Sequence, residues 1–215
     1  EVVAAVSELP QLGVQGVVVL SGGFAEAGEQ GALLQARLVA ATRGGGMRLL
    51  GPMSFGVVAA GSHGRLVATL RVDPPAGTLG VFSQSALSSA MLVDALAERG
   101  IGIRSFVSAG NRADVSGNDT MQSWHDDEGV AVAALNLESI GNPRKFSRIA
   151  RRLAATRPVV VNVSGLTGQL TPPGHAVRTS HQPQRVLSQM LEQAGVVRAH
   201  SVQHFLDLTQ LFAAQ

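Results

Sequence analysis

Two hydrophobic patterns alternate along this chain. Short continuous apolar runs are typical of strands buried in a parallel sheet, whereas apolar residues that recur at spacings of three and four are typical of helices. Residues 14–20 form a run of the first kind. The next segment, residues 28–42, places Leu34, Leu38 and Ala41 on one helical face. This part of the chain therefore predicts a strand followed by a helix.

The pattern is interrupted about a third of the way along the chain. Residues 1–9 have a helical pattern, and residues 47–50 form a second apolar run. Residues 73–77 then read Asp-Pro-Pro-Ala-Gly, and such a segment disfavours regular structure because proline lacks a backbone donor and glycine favours turns. We therefore predict a boundary between one domain at 1–72 and a second domain at 73–215.

After this linker, strand and helix patterns alternate regularly. Apolar runs predict strands at residues 79–82, 103–107, 130–137 and 159–163. Helical patterns predict helices at residues 86–99, 119–125, 143–155, 186–194 and 202–212. Repeated strand–helix units imply a mainly parallel sheet with helices on both faces.

These units predict an α/β fold. Residues 73–215 have enough units for a complete flavodoxin-like parallel-sheet domain, whereas residues 1–72 have too few strands for a full Rossmann unit. We therefore predict a partial Rossmann-like domain followed by a flavodoxin-like domain. We also expect the sequence to be a piece of a larger polypeptide.

Composition narrows the function classes. The 215 residues include no Cys, which excludes disulfides, thiolate catalysis and Cys-based metal sites. The formal charge is only +2, and the arginines are scattered apart from Arg151 and Arg152, so no basic stripe for nucleic acid is evident. The apolar runs are too short to cross a bilayer, and no signal-peptide pattern opens the chain. We expect a cytoplasmic protein that binds neither nucleic acid nor a membrane.

Polar clusters follow several of the predicted strands. In open α/β sheets, ligands bind beyond the carboxyl ends of the strands, so these clusters are candidate sites. No G-x-G-x-x-G turn with a later acidic residue follows a strand, which argues against an NAD-dependent enzyme. The clusters occupy residues 51–56, 83–85, 108–115, 136–139 and 175–181.

Three of these clusters contain groups suited to phosphate chemistry. Ser83-Gln84-Ser85 precedes a predicted helix and could hold an anion, although an ordinary Ser N-cap explains the same pattern. Glu138 ends an apolar strand, where its carboxylate could orient an imidazole or could simply be solvated. His181 lies in a loop and could become a nucleophile toward phosphoryl groups, or could be an ordinary solvated histidine.

The histidines do not predict a metal centre. His200 and His204 lie four residues apart, as zinc ligands on a helix can. His200, however, precedes the predicted N-cap Ser201, and no third ligand is evident in the sequence. We therefore predict no metal site.

Taken together, the polar clusters resemble the NDP-forming acyl-CoA synthetase family, which includes the succinyl-CoA synthetase α subunit and ADP-forming acetate–CoA ligase α subunits. The resemblance is colinear over nearly the whole chain. Gly51-Pro52 through Gly56 is similar to the family's GPNCxG loop, Ser83-Gln84-Ser85 to SQSGAL, Gly110-Asn111 through Val115 to GNxADV, Leu137-Glu138-Ser139-Ile140 to LEGI, Ser180-His181 to SHTGA, and Gln193-Ala194-Gly195-Val196 to RQAGV.

The resemblance implies a function for each cluster. In this family, an acyl-CoA and the free acid are interconverted through an acyl phosphate and a phosphorylated histidine. By resemblance, His181 is the phosphorylated histidine, Glu138 pairs with it, and Ser83-Gln84-Ser85 receives the phosphoryl group. The positions that resemble family CoA or substrate contacts are Gly51, Pro52, Ser54, Gly110 and Asn111.

The same resemblance implies the cofactors and partners. CoA or an acyl-CoA would bind this chain, while ATP or ADP would bind a separate ATP-grasp domain or β subunit that is not in this sequence. The sequence is compatible with a homo-oligomer but fixes no symmetry. We expect that the chain alone cannot complete the reaction.

The sequence departs from the family pattern at the candidate site. Met53-Ser54 replaces Asn-Cys, Ala86 replaces the Gly of SQSGAL, and Gln182-Pro183-Gln184 replaces Thr-Gly-Ala. A Cβ at Ala86 could obstruct phosphate, and Pro183 stiffens the loop that carries His181. A second hypothesis is therefore a non-catalytic regulatory module, similar to the synthetase-like regions that are fused to some protein acetyltransferases.

Overall fold

The computed structural model describes residues 1–61, 64–68, 70, 72–164 and 183–215. Helices and strands alternate through this part of the chain. The α-helices are α1 (Val2–Glu8), α2 (Glu29–Gly44), α3 (Ala86–Glu98), α4 (Gly117–Asp126), α5 (Pro143–Ala154), α6 (Gln184–Gln193) and α7 (Val202–Ala213). The strands are β1 (Gly16–Val18), β2 (Arg48–Leu50), β3 (Val57–Gly61), β4 (Gly64–Ala68), β5 (Ala76–Ser83), β6 (Ile103–Ser108), β7 (Val132–Leu137), β8 (Val159–Val163) and β9 (Val197–Ala199).

The first fifty residues build a small sheet with its own core. Strands β1 and β2 pair in parallel, and helices α1 and α2 pack together beside them. Leu38 of α2 is fully buried, and Gly31 allows the helix to approach the preceding turn, because a Cβ there would lie 1.8 Å from the carbonyl oxygen of Phe24. The buried apolar residues of this core are Val6, Val19, Phe24, Leu38, Met47 and Leu49.

A larger sheet of seven strands carries the rest of the chain, in the order β4-β3-β6-β5-β7-β8-β9. Strands β5 to β9 are parallel to one another, whereas β3 is antiparallel to both of its neighbours, β4 and β6. Strand β5 lies between β6 and β7, so the turn after β5 is in the middle of the carboxyl edge. Helices cover both faces of the sheet, as repeated strand–helix connections require.

The two faces of this sheet form two separate cores. Helices α3 and α7 cover one face, where Leu92, Leu96 and Phe205 pack against alternate residues of the central strands. Helices α4, α5 and α6 cover the other face, where Trp124 and Phe146 pack against the intervening strand residues. Strand residues therefore alternate between the two cores, and β7 and β8 are buried along their whole length.

The predicted strands and helices of residues 79–212 are confirmed, with ends that differ by a few residues. Strand β9 is an addition, because three residues are too short a run to predict. The hairpin β3–β4 precedes residue 73, yet β3 pairs with β6 of the larger sheet. The boundary between residues 72 and 73 stays a prediction, since strand pairing continues across it.

One predicted helix face is wrong in part. The helical spacing of Leu87, Met91, Ala95 and Leu96 predicts that they form the core face of α3, but Leu87 is 75% exposed and Met91 is 60% exposed. The buried residues are Ser89, Leu92, Val93 and Leu96. Helix α3 is apolar on most of its circumference, so the sequence pattern could not select the buried stripe. Packing against the sheet selects it.

Candidate functional site

The candidate site lies where four neighbouring parallel strands end. Ser108 of β6, Ser83 of β5, Asn136 of β7 and Asn162 of β8 occupy one register row across the sheet. All four residues are buried. Since residues in one row point to the same face of a sheet, the row places polar groups directly beneath the carboxyl edge.

Side-chain hydrogen bonds connect this row from β8 to β5, and a separate contact joins its β6 member to α3. Asn162 Nδ2 donates to Asn136 Oδ1 at 2.8 Å, and Asn136 Nδ2 lies 3.5 Å from Ser83 Oγ. On the β6 side, Ser89 Oγ of α3 lies 3.0 Å from Ser108 Oγ. Buried polar groups are costly unless they are paired, so this network fixes the strand ends relative to one another. Sequence reasoning missed Asn162, although a lone Asn in an apolar strand was a usable signal.

Gln84 joins the turn after β5 to the end of β7. Its backbone N–H donates to the Asn136 carbonyl at 3.1 Å, and its side-chain Oε1 accepts from the Ser139 N–H at 3.0 Å and from the Glu138 N–H. Only 4% of Gln84 is exposed. The side chain therefore determines where Glu138 lies relative to the turn.

Ser83 and Ser85 have different environments within the same turn. Ser83 is fully buried, and its hydroxyl donates to the Ser85 carbonyl at 3.3 Å. Ser85 is the N-cap of α3, because its hydroxyl accepts from the Ser88 N–H at 3.3 Å. The ordinary N-cap interpretation is thus confirmed for Ser85. Helix α3 still presents the positive end of its dipole and its first free amides beside Glu138.

The two loops predicted to contact CoA interlock with each other. The Asn111 N–H donates to the Pro52 carbonyl at 2.8 Å, and the Ala113 N–H donates to the Gly51 carbonyl at 3.2 Å. Gly110 has a φ of 52°, and a Cβ there would lie 2.0 Å from the Pro52 carbonyl oxygen. Only glycine fits at this crossing, so the spacing of the two loops is fixed by backbone contact.

Ser54 is placed for a structural role in this loop pair. It is 5% exposed, its hydroxyl donates to the Ser108 carbonyl at 2.6 Å, and it accepts from the Gly56 N–H at 3.1 Å. Its polar atom is thus used inside the protein. The Ser54 hydroxyl holds the first loop on β6 rather than pointing to solvent.

Two residues of these loops have a left-handed backbone although neither is glycine. Met53 has a φ of 60° and Arg112 has a φ of 52°. Such conformations cost about 1–3 kcal/mol each and cluster at functional sites, where the surrounding structure holds them. Arg112 Nη1 donates to the Ser139 carbonyl at 2.9 Å. The strained loop is thereby connected to the segment that carries Glu138.

A small cavity lies beside this contact, between the first turns of α4 and α5. Its volume is about 170 Å³, and Arg112 lies at its wall. The N-terminal ends of both helices border it, through Ser116 and Asn142. Helix N-termini and an arginine create a positive potential, so the edge of the sheet near Glu138 favours anions.

The Asn111 side chain forms hydrogen bonds with residues next to the small sheet. Its Nδ2 donates to a carboxylate oxygen of Glu26 and to Gln35 Oε1 at 3.0 Å. Burial acts to raise the pKa of Glu26, but hydrogen bonds from Asn111 and from the Gly23 and Phe24 amides outweigh it and hold the pKa below its usual value. Glu26 is therefore ionised near neutrality, and Asn111 joins the two sheets.

Asp114 makes a second connection between the sheets, which sequence reasoning missed. Its carboxylate accepts from Arg43 at 3.0 Å, from Arg48 at 2.7 Å and from the Leu49 N–H at 3.0 Å. Burial acts to raise the pKa of Asp114, but these hydrogen bonds, led by that of Arg48, hold it below its usual value. The Ala113-Asp114-Val115 segment thus fastens the small sheet to the larger one.

The predicted phosphorylated histidine cannot be compared with this geometry. His181 and its neighbour Gln182 lie outside the described residues, as does the whole segment 165–182. Pro183, which follows, is the N-cap of α6. The pairing of His181 with Glu138 therefore stays a prediction.

Neither a metal centre nor a membrane-spanning helix is found in the described part of the chain. There, no group of three or more His, Asp or Glu side chains could hold a metal ion. His200 and His204 instead stack, with ring centroids 5.7 Å apart, and Ser201 caps α7 as predicted. Within the same residues, no helix is both long and apolar enough to span a bilayer.

A family model described as the succinyl-CoA ligase-like flavodoxin domain matches residues 76–212. Similar curated proteins include the α subunit of ADP-forming acetate–CoA ligase I of Pyrococcus furiosus, which is 33% identical over 93% of this chain and 43% of the relative. The ADP-forming acetate–CoA ligase of Methanocaldococcus jannaschii is 28% identical over 97% of this chain and 29% of the relative. The chain thus spans less than half the length of these relatives.

Solved structures agree with these matches. A dinucleotide-forming acetyl-coenzyme A synthetase of Candidatus Korarchaeum cryptofilum, in complex with phosphate and ADP, superposes with a TM-score of 0.87. It is 27% identical in sequence, and the match covers 99% of this chain and 46% of that chain. An ATP citrate lyase of Methanothrix soehngenii shares the fold, with a TM-score of 0.72 at 17% identity. The predicted flavodoxin-like fold and family resemblance are confirmed.

Proposed function

The chain belongs to the family of succinyl-CoA ligase-like flavodoxin domains, and we propose that it is part of an NDP-forming acyl-CoA synthetase. The reaction is the formation of an acyl-CoA from an acid, CoA and ATP, with release of ADP and phosphate. Because the chain spans less than half of the similar ligases, the complete activity requires further chain.

The observation that carries this proposal is the contact between Gln84 and the Glu138 segment. It holds the backbone of Glu138 and Ser139 beside the turn that begins α3, where the first amides of the helix attract an anion. A phosphoryl relay through histidine needs both features close together, one for the imidazole and one for the phosphate. Their juxtaposition at the ends of the neighbouring strands β5 and β7 supports the relay more directly than either motif does.

Each residue has a chemical part in the proposed relay. His181 would attack the phosphorus of an acyl phosphate, forming an N–P bond while the P–O bond to the acyl group breaks and the carboxylate leaves. Glu138 would orient the imidazole and stabilise its positive charge. The first amides of α3 and the Gln84 amide would hold the phosphoryl oxygens. Phosphohistidine would then pass its phosphoryl group to ADP. In the direction of synthesis, these two steps run in reverse to give the acyl phosphate, and the CoA thiol then attacks its carbonyl carbon, forming the thioester while the C–O bond to phosphate breaks and phosphate leaves.

CoA would bind near the interlocked loops at Gly51 and Gly110. Ser54 and Asn111 would act indirectly, by holding these loops, since their side chains bond to the protein. The nucleotide would bind an ATP-grasp domain, in a β subunit or in the same polypeptide. The Pyrococcus furiosus relative is named as an α subunit, whereas the Methanocaldococcus jannaschii relative is named as a ligase without a subunit. The predicted cytoplasmic location suits a reaction that uses CoA and a nucleotide.

A non-catalytic regulatory module is the second candidate function. Three departures favour it: Met53 has the left-handed conformation that asparagine adopts more readily, Ala86 begins α3 where the family has glycine, and Pro183 follows the His181 segment. On this hypothesis, the fold binds CoA or an acyl-CoA without transferring phosphate. The phosphorylation experiment that follows distinguishes this function from the phosphoryl relay.

The test is phosphorylation of the intact protein. Incubation with radiolabelled ATP should give acid-labile, alkali-stable label that mass spectrometry assigns to His181, and His181→Ala should abolish it. Glu138→Gln should reduce the labelling rate without changing the labelled residue. Absence of label, together with a higher Tm in the presence of CoA or acetyl-CoA, would reject the relay and support the regulatory module.

A further inference from the structure

A second cavity lies between α4 and α5, away from the carboxyl edge. Its volume is about 320 Å³, and it is lined by the last two turns of α4, from Met121 to Asp126, and by Arg148, Ile149 and Arg152 of α5. Both helices run antiparallel to the parallel strands that they connect, so their last turns lie toward the amino ends of the strands. The cavity is therefore separate from the candidate phosphoryl site.

The base of this cavity is apolar. Met121 is fully buried and Ile149 is 8% exposed, and both belong to the core on this face of the sheet. Met121 therefore closes the base, and the apolar surface that a ligand can reach is the exposed edge of Ile149 and the carbon atoms of the His125 ring. Ligand pockets usually combine such a surface with a few polar groups that fix orientation.

The polar groups on the α5 side are hydrogen-bond donors. Arg152 Nε donates to His125 Nε2 at 2.9 Å, so this ring nitrogen acts as an acceptor. The hydrogen of a neutral His125 is then on Nδ1, which is buried and has no partner within the described residues. Arg148, one turn before Arg152, adds a guanidinium on the same side. The guanidinium groups of Arg148 and Arg152 are exposed, and a ligand rich in acceptors would bond to them rather than to the buried Nδ1.

The charge of α5 exceeds what helix stability requires. Arg151 and Arg152 lie in its last turn, where cations interact favourably with the helix dipole. Arg144 and Lys145 lie in its first turn, where the dipole opposes positive charge, and no acidic residue accompanies them. All of these side chains are exposed. Arg144 and Lys145 lie at the other end of α5 from this cavity, so Arg148 and Arg152 are the cations that α5 contributes to the lining.

Acidic residues near the cavity do not cancel this charge. Asp126 lies at the rim and is the acidic group among the lining residues. The next carboxylate, Asp127, accepts hydrogen bonds from Arg104 at 3.1 Å and 3.0 Å. Arg148 and Arg152 together outweigh Asp126, so the lining is positive. An anion that avoids Asp126 would approach from the α5 side.

We propose that this cavity binds a phosphorylated small molecule, with its phosphate on Arg148 and Arg152 and its apolar portion against Ile149 and the His125 ring. The size of the cavity favours a small molecule over an extended polymer. Binding would draw the Arg152 Nε–H from His125 Nε2 to a phosphate oxygen. His125 thus becomes a local reporter of occupancy. The proposal does not depend on phosphoryl transfer at His181.

The test uses the intact protein with ¹⁵N-labelled histidine. Phenyl phosphate, inorganic phosphate and phenol are titrated separately at constant ionic strength, and the His125 resonances are assigned with His125→Gln. We expect a saturable His125 shift with phenyl phosphate, a weaker affinity for inorganic phosphate, and no shift with phenol. Arg148→Gln should weaken phenyl phosphate binding about tenfold, since it removes one charge-assisted contact.

Arg37→Gln is the matched control, because Arg37 is an exposed arginine on α2 and its removal changes the net charge equally. Its affinity should equal that of the unmodified protein. The proposal is overturned if His125 does not respond, if sodium chloride reproduces the shift, or if Arg148→Gln and Arg37→Gln bind alike. Phosphate bound only at α3 would leave the His125 resonances unchanged, which also overturns it.

Discussion

Gln84 Oε1 accepts a hydrogen bond from the Ser139 N–H at 3.0 Å, and this contact joins the turn after β5 to the end of β7. The same oxygen also accepts from the Glu138 N–H. One buried side chain thus satisfies two adjacent backbone donors. The sequence indicated phosphate binding at Gln84, whereas the structure shows that its oxygen positions the Glu138 segment.

Gln84→Ala should destabilise the protein because it leaves these two N–H groups without an acceptor. An unsatisfied buried donor costs about 1–3 kcal/mol, so we expect a loss of about 2 kcal/mol in the free energy of unfolding, measured by urea denaturation. Gln189→Ala, at an exposed position of α6, is the control and should change stability by less than about 0.5 kcal/mol. Equal effects would contradict the role of this contact.

Asp114 should make stability depend on pH in the acidic range. Its folded-state pKa is lowered, so the unfolded state binds the proton more readily. The stabilisation is present above the unfolded-state pKa, about 4, and is lost as pH falls through the folded-state value. Urea denaturation between pH 7 and pH 3 should show this loss, and Asp114→Asn should reduce its slope.

The Asp114→Asn variant should also lose about 1–2 kcal/mol at pH 7, because its charge-assisted hydrogen bonds to Arg43 and Arg48 are weakened. Glu8→Gln, at an exposed position of α1, should leave the pH profile unchanged. A profile for Asp114→Asn that parallels the unmodified protein would show that other carboxylates dominate acid unfolding.

Met53→Asn should stabilise the first loop. Met53 has a φ of 60°, a conformation that costs most residues about 1–2 kcal/mol and that asparagine tolerates better. We expect a gain of about 0.5–1 kcal/mol in the free energy of unfolding. Met91→Asn, at an exposed helical position, should instead lose about 0.5 kcal/mol. A loss at both positions would mean that Met53 packing outweighs its backbone strain.

Gly110→Ala and Gly46→Ala should differ strongly although both glycines have a positive φ. A Cβ at Gly110 would lie 2.0 Å from the Pro52 carbonyl oxygen, whereas a Cβ at Gly46 would meet nothing within 4 Å. Gly46→Ala should lose about 1 kcal/mol from backbone strain alone, and Gly110→Ala should lose at least about 3 kcal/mol or fail to fold. Similar Tm values for the two variants would show that the loops can separate.

Much of the fold followed from local patterns. The runs that became β7 and β8 are apolar along their length because both faces of a central parallel strand are buried. Helix α5 was predicted from its apolar stripe, and Ser85 and Ser201 were recognisable as caps. Local patterns did not identify the buried face of α3, because apolar residues lie on most sides of this helix. Leu87 and Met91 are exposed because other residues of α3 pack against the sheet.

The sequence by itself determined the α/β alternation, the family and the identity of the polar clusters, because each depends on residues that are close together along the chain. Tertiary structure decided how those clusters act on one another. Gln84 reaches Ser139 across 55 residues, and Asp114 reaches Arg48 across 66. Hydrogen bonds at such separations depend on strand order and register, because order and register bring distant segments together. The periodicity of a single segment contains no information about strand order or register.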